Sequence, residues 1–220
     1  MTRKTTGDDD IQISDGHDMR NDDDIDILYN DDVNRGNNGS PDYSYGCIFC
    51  ITGHESRAMR MLQELAPQAE FMVPQKKRRR RIKGKMHEET EILFSGYIFF
   101  RAERGEGLPA LSRVPGVIRV LADKDGAWQL SGDDEAFAVW LFTQGETIGF
   151  SKAYYEGDRV RIVSGPLKNY EGYITKVNRR FQSGQITVRF AEREMKVWLG
   201  LDLVDKAKEA EEPEEQQGNN

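Results

Sequence analysis

The sequence is short of almost everything that catalysis, metal binding or secretion would use. Among 220 residues there are two cysteines and three histidines. Cys47 and Cys50 form a single CxxC, which supplies two ligands where a structural zinc takes four. His17, His54 and His87 fall at no metal-binding spacing. A thioredoxin-like pair belongs at a helix N-terminus, whereas these thiols lie in the apolar run 47–51, so they read as buried packing groups. Neither a metal nor any other cofactor is expected. There is no GxSxG, no HExxH and no glycine-rich phosphate cradle, so a non-enzyme without catalytic residues is expected. No run approaches the ~20 apolar residues of a membrane span. The N-terminus lacks the apolar segment of a secretory signal. Two cysteines make no disulfide framework, which fits a reducing cytoplasm.

Glutamate is missing from the first 45 residues, which hold 12 Asp against 4 Lys and Arg, a net charge of −8. Residues 205–220 carry −4, and the overall charge of −7 leaves +5 for the part between. A basic body between two acidic tails points to a polyanionic partner. Residues 1–42 hold few branched aliphatics and cannot offset the entropy of ordering, so they are expected to be disordered. Asp8 to Asp10 and Asp22 to Asp24 lack the glycine and terminal glutamate of a calcium-binding hand. The tail 206–220, rich in Glu and Gln, reads the same way.

Between the tails, helical and strand signals alternate over residues 45–142. The run 47–51 and residues 71–73 read as strands. Residues 55–66 carry Ala58, Met61, Leu62 and Leu65 on one helical face, stopped before Pro67. Residues 92–100 read as an apolar strand with Gly96 inside it, 108–114 as a short helix, 117–121 as a strand and 133–142 as a helix. This pattern predicts an α+β sandwich. Residues 143–156, polar and with two glycines, read as a linker. From 157 on, short strands at 158–163, 172–178, 185–190 and 194–199 predict a small all-β barrel.

The sharpest electrostatic signal is Lys76, Lys77, Arg78, Arg79, Arg80, Arg81, Lys83 and Lys85, eight cations in ten residues. Like charges at this density repel one another unless an anion relieves them. Arginine's planar fork suits phosphate, and the lack of aromatics in the run points to backbone phosphates over bases. The barrel adds Lys168, Asn169 and Tyr170 in one turn, with Lys176, Arg179, Arg180 and Phe181 near the next. Basic and aromatic residues on adjoining loops suit unpaired RNA bases; Tyr173 and Phe181 serve equally well as plugs for the barrel ends.

Residues 157–177 run strand, Gly165-Pro166, Leu167, Lys168, Asn169, Tyr170, Gly172, strand. This stretch resembles the KOW motif of the NusG/Spt5 family of transcription factors. The likeness extends upstream. Residues 45–55, ending Gly53-His54-Glu55, resemble the opening strand of the NusG N-terminal (NGN) domain. Residues 71–74 resemble its second strand, 94–100 its Phe-Pro-Gly-Tyr strand with Ser95 for proline, and 114–121 its Val-Pro-x-Val segment. Gly46 stands where that family usually has an aromatic.

The resemblance implies an NGN domain over 43–142, a linker over 143–156, and an SH3-like KOW barrel over 157–205. It further implies a monomer that binds the clamp helices of RNA polymerase, with Tyr45, Phe94, Gly96, Tyr97 and Ile118 as the polymerase-binding positions. Phe94 and Tyr97 would equally fit a plain core. The solid arginine run is more like a specialised paralogue of the LoaP type, which implies antitermination through a structured leader RNA hairpin. A housekeeping factor contacting Rho or a ribosomal protein, and a ribosome-associated RNA-binding KOW protein, are the alternatives.

Overall fold

The computed structural model describes residues 42–122, 126–157, 159–168 and 174–204, together with the backbone of Asp10–Gln12. Its first layer is a four-stranded antiparallel sheet. The strands are β2 (Tyr43–Cys50), β3 (Glu70–Met72), β6 (Tyr97–Glu103) and β7 (Val117–Val120), in the order β3-β6-β2-β7. Alternation along the two central strands produces two apolar faces. Ile48, Cys50, Ile98, Phe100 and Ala102 pack with α1 (Glu55–Leu65), while Cys47 and Phe99 pack with α2 (Gly132–Gln144). Gly46 lies opposite Phe100, and a Cβ there would collide with the Phe100 ring. The ring occupies the space that an aromatic at 46 would need.

Helix α1 buries Ala58 and Leu62, and Ala66 just beyond its end is also buried, whereas Leu65 is exposed. The predicted apolar face is therefore narrower than the pattern implied, because Ala58, Leu62 and Ala66, four apart, carry the close contact. The expected single strand over 92–100 is divided. One strand ends at Ile92 and the next begins at Tyr97, with Gly96 at φ +84° in the loop between. The expected helix over 108–114 is one 3-10 turn, Leu111–Arg113.

The arginine run is a β-strand. Strands β4 (Gln75–Ile82) and β5 (Lys85–Ile92) form an antiparallel arm. Its two-residue turn has Lys83 at φ +48° and Gly84 at φ +82°, the conformation that matches strand twist in a tight hairpin. The register sets Lys76 opposite Glu91, Arg78 opposite Glu89 and Arg79 opposite Glu88. Opposite charges directly across an antiparallel pair stabilise it, so part of the repulsion expected of the run is relieved within the arm. Strand β8 (Thr147–Ile148) adds in parallel to β4, and β9 (Ser151–Glu156) opens the barrel. The stretch 143–156 is thus two strands and the end of α2, not a free linker.

The barrel strands are β9, β10 (Arg159–Ser164), β11 (Ile174–Asn178), β12 (Ser183–Phe190) and β13 (Arg193–Leu203), in the order β11-β12-β13-β9-β10. Strand β1 (Asp10–Gln12) joins the β11 edge, with Ile11 opposite Val177. These three residues belong to the segment expected to be disordered. Asp42, the last residue of that segment, is also described and pairs with Arg104; the other residues of both acidic tails lie outside the described residues. Leu167, fully buried, fills the barrel from the Gly165-Pro166 turn, and its amide donates to Ser151 Oγ at 2.9 Å. Gly165 has φ +96°, and a Cβ there would lie 2.8 Å from Ser151 Cα. The turn that resembles a KOW signature is therefore the barrel's plug.

Candidate nucleic-acid interface

Arg79 and Lys76 fasten the arm to the barrel. Arg79 Nη1 donates to Gln182 Oε1 and to the Leu201 carbonyl, and Nη2 pairs with Asp202 Oδ1 at 3.1 Å. Its guanidinium lies 4.4 Å from the Phe150 ring centroid. That ring rests on Gly200, where any Cβ would collide with it. Lys76 adds a bond from Nζ to the Trp198 carbonyl at 2.8 Å and an ion pair with Glu91 at 3.2 Å. Arg78 pairs with Glu89 and Glu91. Gln182, Asp202, Phe150 and Trp198 stood out in no sequence pattern, because their role depends on a neighbour more than 70 positions away.

The other cations of the run are differently placed. Lys77, Arg80, Arg81, Lys83 and Lys85 make no ion pair among the described residues, and residues 80–88 are all exposed. Arg81 donates to the Gly84 carbonyl at 3.2 Å. The run thus divides into a paired root and a bare tip.

On the barrel, Arg179 and Arg180 are exposed in the turn after β11. Arg179 lies 4.3 Å from the Tyr155 ring centroid and Arg180 5.4 Å from that of Phe181. This turn adjoins the root of the arm, since Gln182 accepts from Arg79. Lys176 is half-buried on β11. Lys168 is exposed and donates to the Ile162 carbonyl at 3.1 Å. Asn169, Tyr170 and Tyr173 lie outside the described residues. The structure brings the arm to the Arg179-Arg180 turn.

The five positions expected to face polymerase do not form one open patch. Phe94 is buried, its ring 5.7 Å from Phe137 and 6.4 Å from Phe99. Tyr45 meets Phe142 edge-on at 5.6 Å, and burial raises its hydroxyl above the ordinary range despite a hydrogen bond with Arg101. Tyr97 is half-buried between Phe49, at 5.4 Å, and Phe190 of the barrel, at 6.3 Å. Ile118 is 54% exposed on β7.

Gly96 has a structural task. Its amide donates to Glu55 Oε1 at 2.7 Å and its carbonyl accepts from Cys50 at 2.8 Å. Burial alone would raise the Glu55 carboxyl, but the amides of Glu55, Gly53 and Gly96 outweigh it and hold it below its ordinary value. The Gly-His-Glu and Ser-Gly-Tyr motifs are thus two halves of one contact.

Phe190 carries the barrel into the sandwich. Its ring lies 5.2 Å from Phe99 and 5.7 Å from Phe137, and it is 1% exposed. It sits just before the Ala191-Glu192 turn, whose residues both have positive φ, +50° and +61°. The Asp134 carboxylate of α2 accepts from the Ala191 amide at 3.0 Å. Cys47 and Cys50 are both buried free thiols; burial pushes Cys50 to about 11 and Cys47 well above its ordinary value. Neither is a thiolate at neutral pH.

Residues 45–136 match the family model described as Transcription termination factor nusG. The chain is 28% identical over 133 residues to the transcription termination/antitermination protein NusG of Thermus thermophilus, covering 56% of this chain and 72% of that one. To the Pseudomonas aeruginosa protein of the same name it is 26% identical over 172 residues, covering 72% of this chain and 96% of that one. Among solved structures, a chain described under "Domain interaction in Thermotoga maritima NusG" is similar at 16% identity and TM-score 0.43, covering 72% of this chain and 93% of that one. The sandwich thus carries a NusG family match over residues 45–136 and leads into a β-barrel, and the chain is similar to transcription termination/antitermination proteins of the NusG name.

Proposed function

We propose that this factor is a processive antiterminator. It rides on RNA polymerase through the sandwich and grips RNA, in the form of a structured leader hairpin, with the β4–β5 arm and the barrel. The observation that carries this reading is the bare tip of the arm, where Arg80, Arg81, Lys83 and Lys85 stand exposed without acidic partners among the described residues. Phosphates relieve such charge and release counterions, so affinity is salt-dependent and indifferent to sequence. Arg179, Arg180 and Lys176 extend the basic surface onto the barrel. Lys76, Arg78 and Arg79, by contrast, hold the arm together and fasten it to the barrel.

Polymerase contact is assigned to the apolar face around Tyr97, with Ile118 on the neighbouring edge. Tyr45 and Phe94 shape that face from beneath, and Gly96 positions its loop. A clamp helix seated at Tyr97 takes the place that Phe190 holds in the closed molecule. Holding the clamp shut disfavours pausing, with no covalent chemistry by the protein itself.

RNA binding measured as salt is varied tests the first half. With about five phosphates neutralised on a single strand, log K falls against log[salt] with a slope of roughly −3.5. A flat response rejects the RNA role. Co-purification with core polymerase tests the second half, and the pair Tyr97→Ser and Ile118→Ser should lower recovery while the fold persists by circular dichroism. Recovery of Rho or a ribosomal protein without RNA binding would replace this reading with the housekeeping one, which the general NusG names of the two relatives favour.

A further inference from the structure

Between the root of the arm and the barrel runs a groove of about 600 Å³. That lies within the ~300–1,000 Å³ of sites that enclose a small organic group. Lys76, Arg78, Arg79 and Arg80 of β4 all line the groove with Glu91 of β5, and Phe181 and Trp198 are contributed by the barrel. The cations differ in what they already hold. Lys76 is tied to Glu91 and the Trp198 carbonyl, and Arg78 to Glu89 and Glu91. Arg80 has no ion pair among the described residues. Phe181, 38% exposed, is the one aromatic among the exposed large apolar side chains of the described residues, and Arg180 lies against its ring.

An exposed ring backed by a guanidinium, facing an unpaired arginine across a groove, is what a flat aromatic group bearing a phosphate would recognise. We propose that this groove seats one unpaired nucleotide of RNA, with its base stacked on Phe181 and its phosphate on Arg80. The proposal rests on the RNA-binding reading above and deepens it. The arm supplies sequence-indifferent affinity, while the groove adds a preference for unpaired over paired RNA, because a base inside a duplex cannot reach the ring. Arg79 and Lys76 hold arm and barrel together around the seat, so single-strand preference and domain docking are coupled.

The test uses the full chain, a fluorescent uridine-rich single strand and a duplex RNA of equal length. Phe181→Ala should weaken the single strand about 5- to 150-fold, the range of one lost base stack, with its salt slope and the duplex affinity unchanged. Phe181→Tyr, which keeps the ring, should restore binding. Arg80→Ala should lower the single-strand slope by about 0.7, the share of one phosphate. RNA carrying 4-thiouridine should photocrosslink to the peptide holding Phe181 or Trp198. If wild type binds RNA with a normal salt slope but Phe181→Ala changes nothing, or weakens both RNAs alike, the groove is not the seat and the broader RNA reading stands. If wild type binds no RNA, both fail. If oligoglutamate binds as tightly as the single strand and both are indifferent to Phe181→Ala, the surface takes acidic peptides and the proposal is overturned.

Discussion

The central sheet has two apolar faces, and they are closed in different ways. The face bearing Ile48, Ile98 and Phe100 is covered by α1, which follows β2 directly in sequence, and by Leu111. The face bearing Cys47 and Phe99 is covered partly by α2 and partly by Phe190, which belongs to the barrel. One face is finished by its own domain. The other is completed by a side chain from the barrel. The two layers are equally buried; the difference lies in whether the covering side chains come from the sandwich itself or from the barrel.

The largest effect that sharpens the contrast is Phe100→Ala. Phe100 is fully buried between Phe71 and Trp128, with ring centroids 5.4 and 5.0 Å away. Its loss should cost about 3–5 kcal/mol, read in urea unfolding, without altering RNA affinity of the protein that remains folded. Glu55→Gln comes next. It weakens charge-assisted bonds to three backbone amides, at about 1.5–3 kcal/mol. Because the folded carboxyl lies below its unfolded value of ~4.3, the stability from Glu55 is present above that pH. It is lost as pH falls through the folded value. A wild-type acid transition that Glu55→Gln leaves just as steep would refute the assignment.

The side completed by the barrel should respond through docking instead of unfolding. Arg79→Lys keeps the charge but loses the fork that reaches Gln182, the Leu201 carbonyl and Asp202 together. About 1 kcal/mol of arm-to-barrel attachment should go. Amide exchange along β4 and β13 should quicken, while exchange along β2 and β6 stays slow. Equal acceleration everywhere would mean that the two regions open as one body.

How much of this was legible in the sequence follows the same division. Local patterns told the sandwich strands, both helices and the barrel, because Ala58 and Leu62, or Val160 and Ile162, are near neighbours whose periodicity reports a buried side. The arm was hidden in plain sight. Its glutamates at 88, 89 and 91 mirror the cations about the Lys83-Gly84 turn, and a hairpin register would have paired them. What no local pattern holds is the docking. Phe190, Gln182 and Asp202 acquire their roles from residues roughly 50 to 120 positions away, and nothing in their own neighbourhoods marks them. Gly96 was assigned to a partner surface when its positive φ and its bond to Glu55 already account for it.

The smallest effect discriminates most finely. Burial raises the Asp134 carboxyl above its ordinary value, with Asp133 and Glu192 adding to the rise, although the Ala191 amide opposes it. A carboxyl raised in the closed state takes up a proton there more readily than in the open state. Docking should therefore tighten as pH falls through the closed-state value, which lies above ~3.9. That is the reverse of the dependence set by Glu55. Asp134→Asn keeps an oxygen to accept from Ala191 and removes the charge, so docking at pH 7 should hold or tighten by a few tenths of a kcal/mol. Asp134→Ala, which leaves that amide without its acceptor, should loosen it. The Ala191 amide exchange rate reports both. Loosening in the Asn variant as large as in the Ala variant would show that the charge itself, not the acceptor, holds the turn against α2, and the pH dependence would then have the opposite sign.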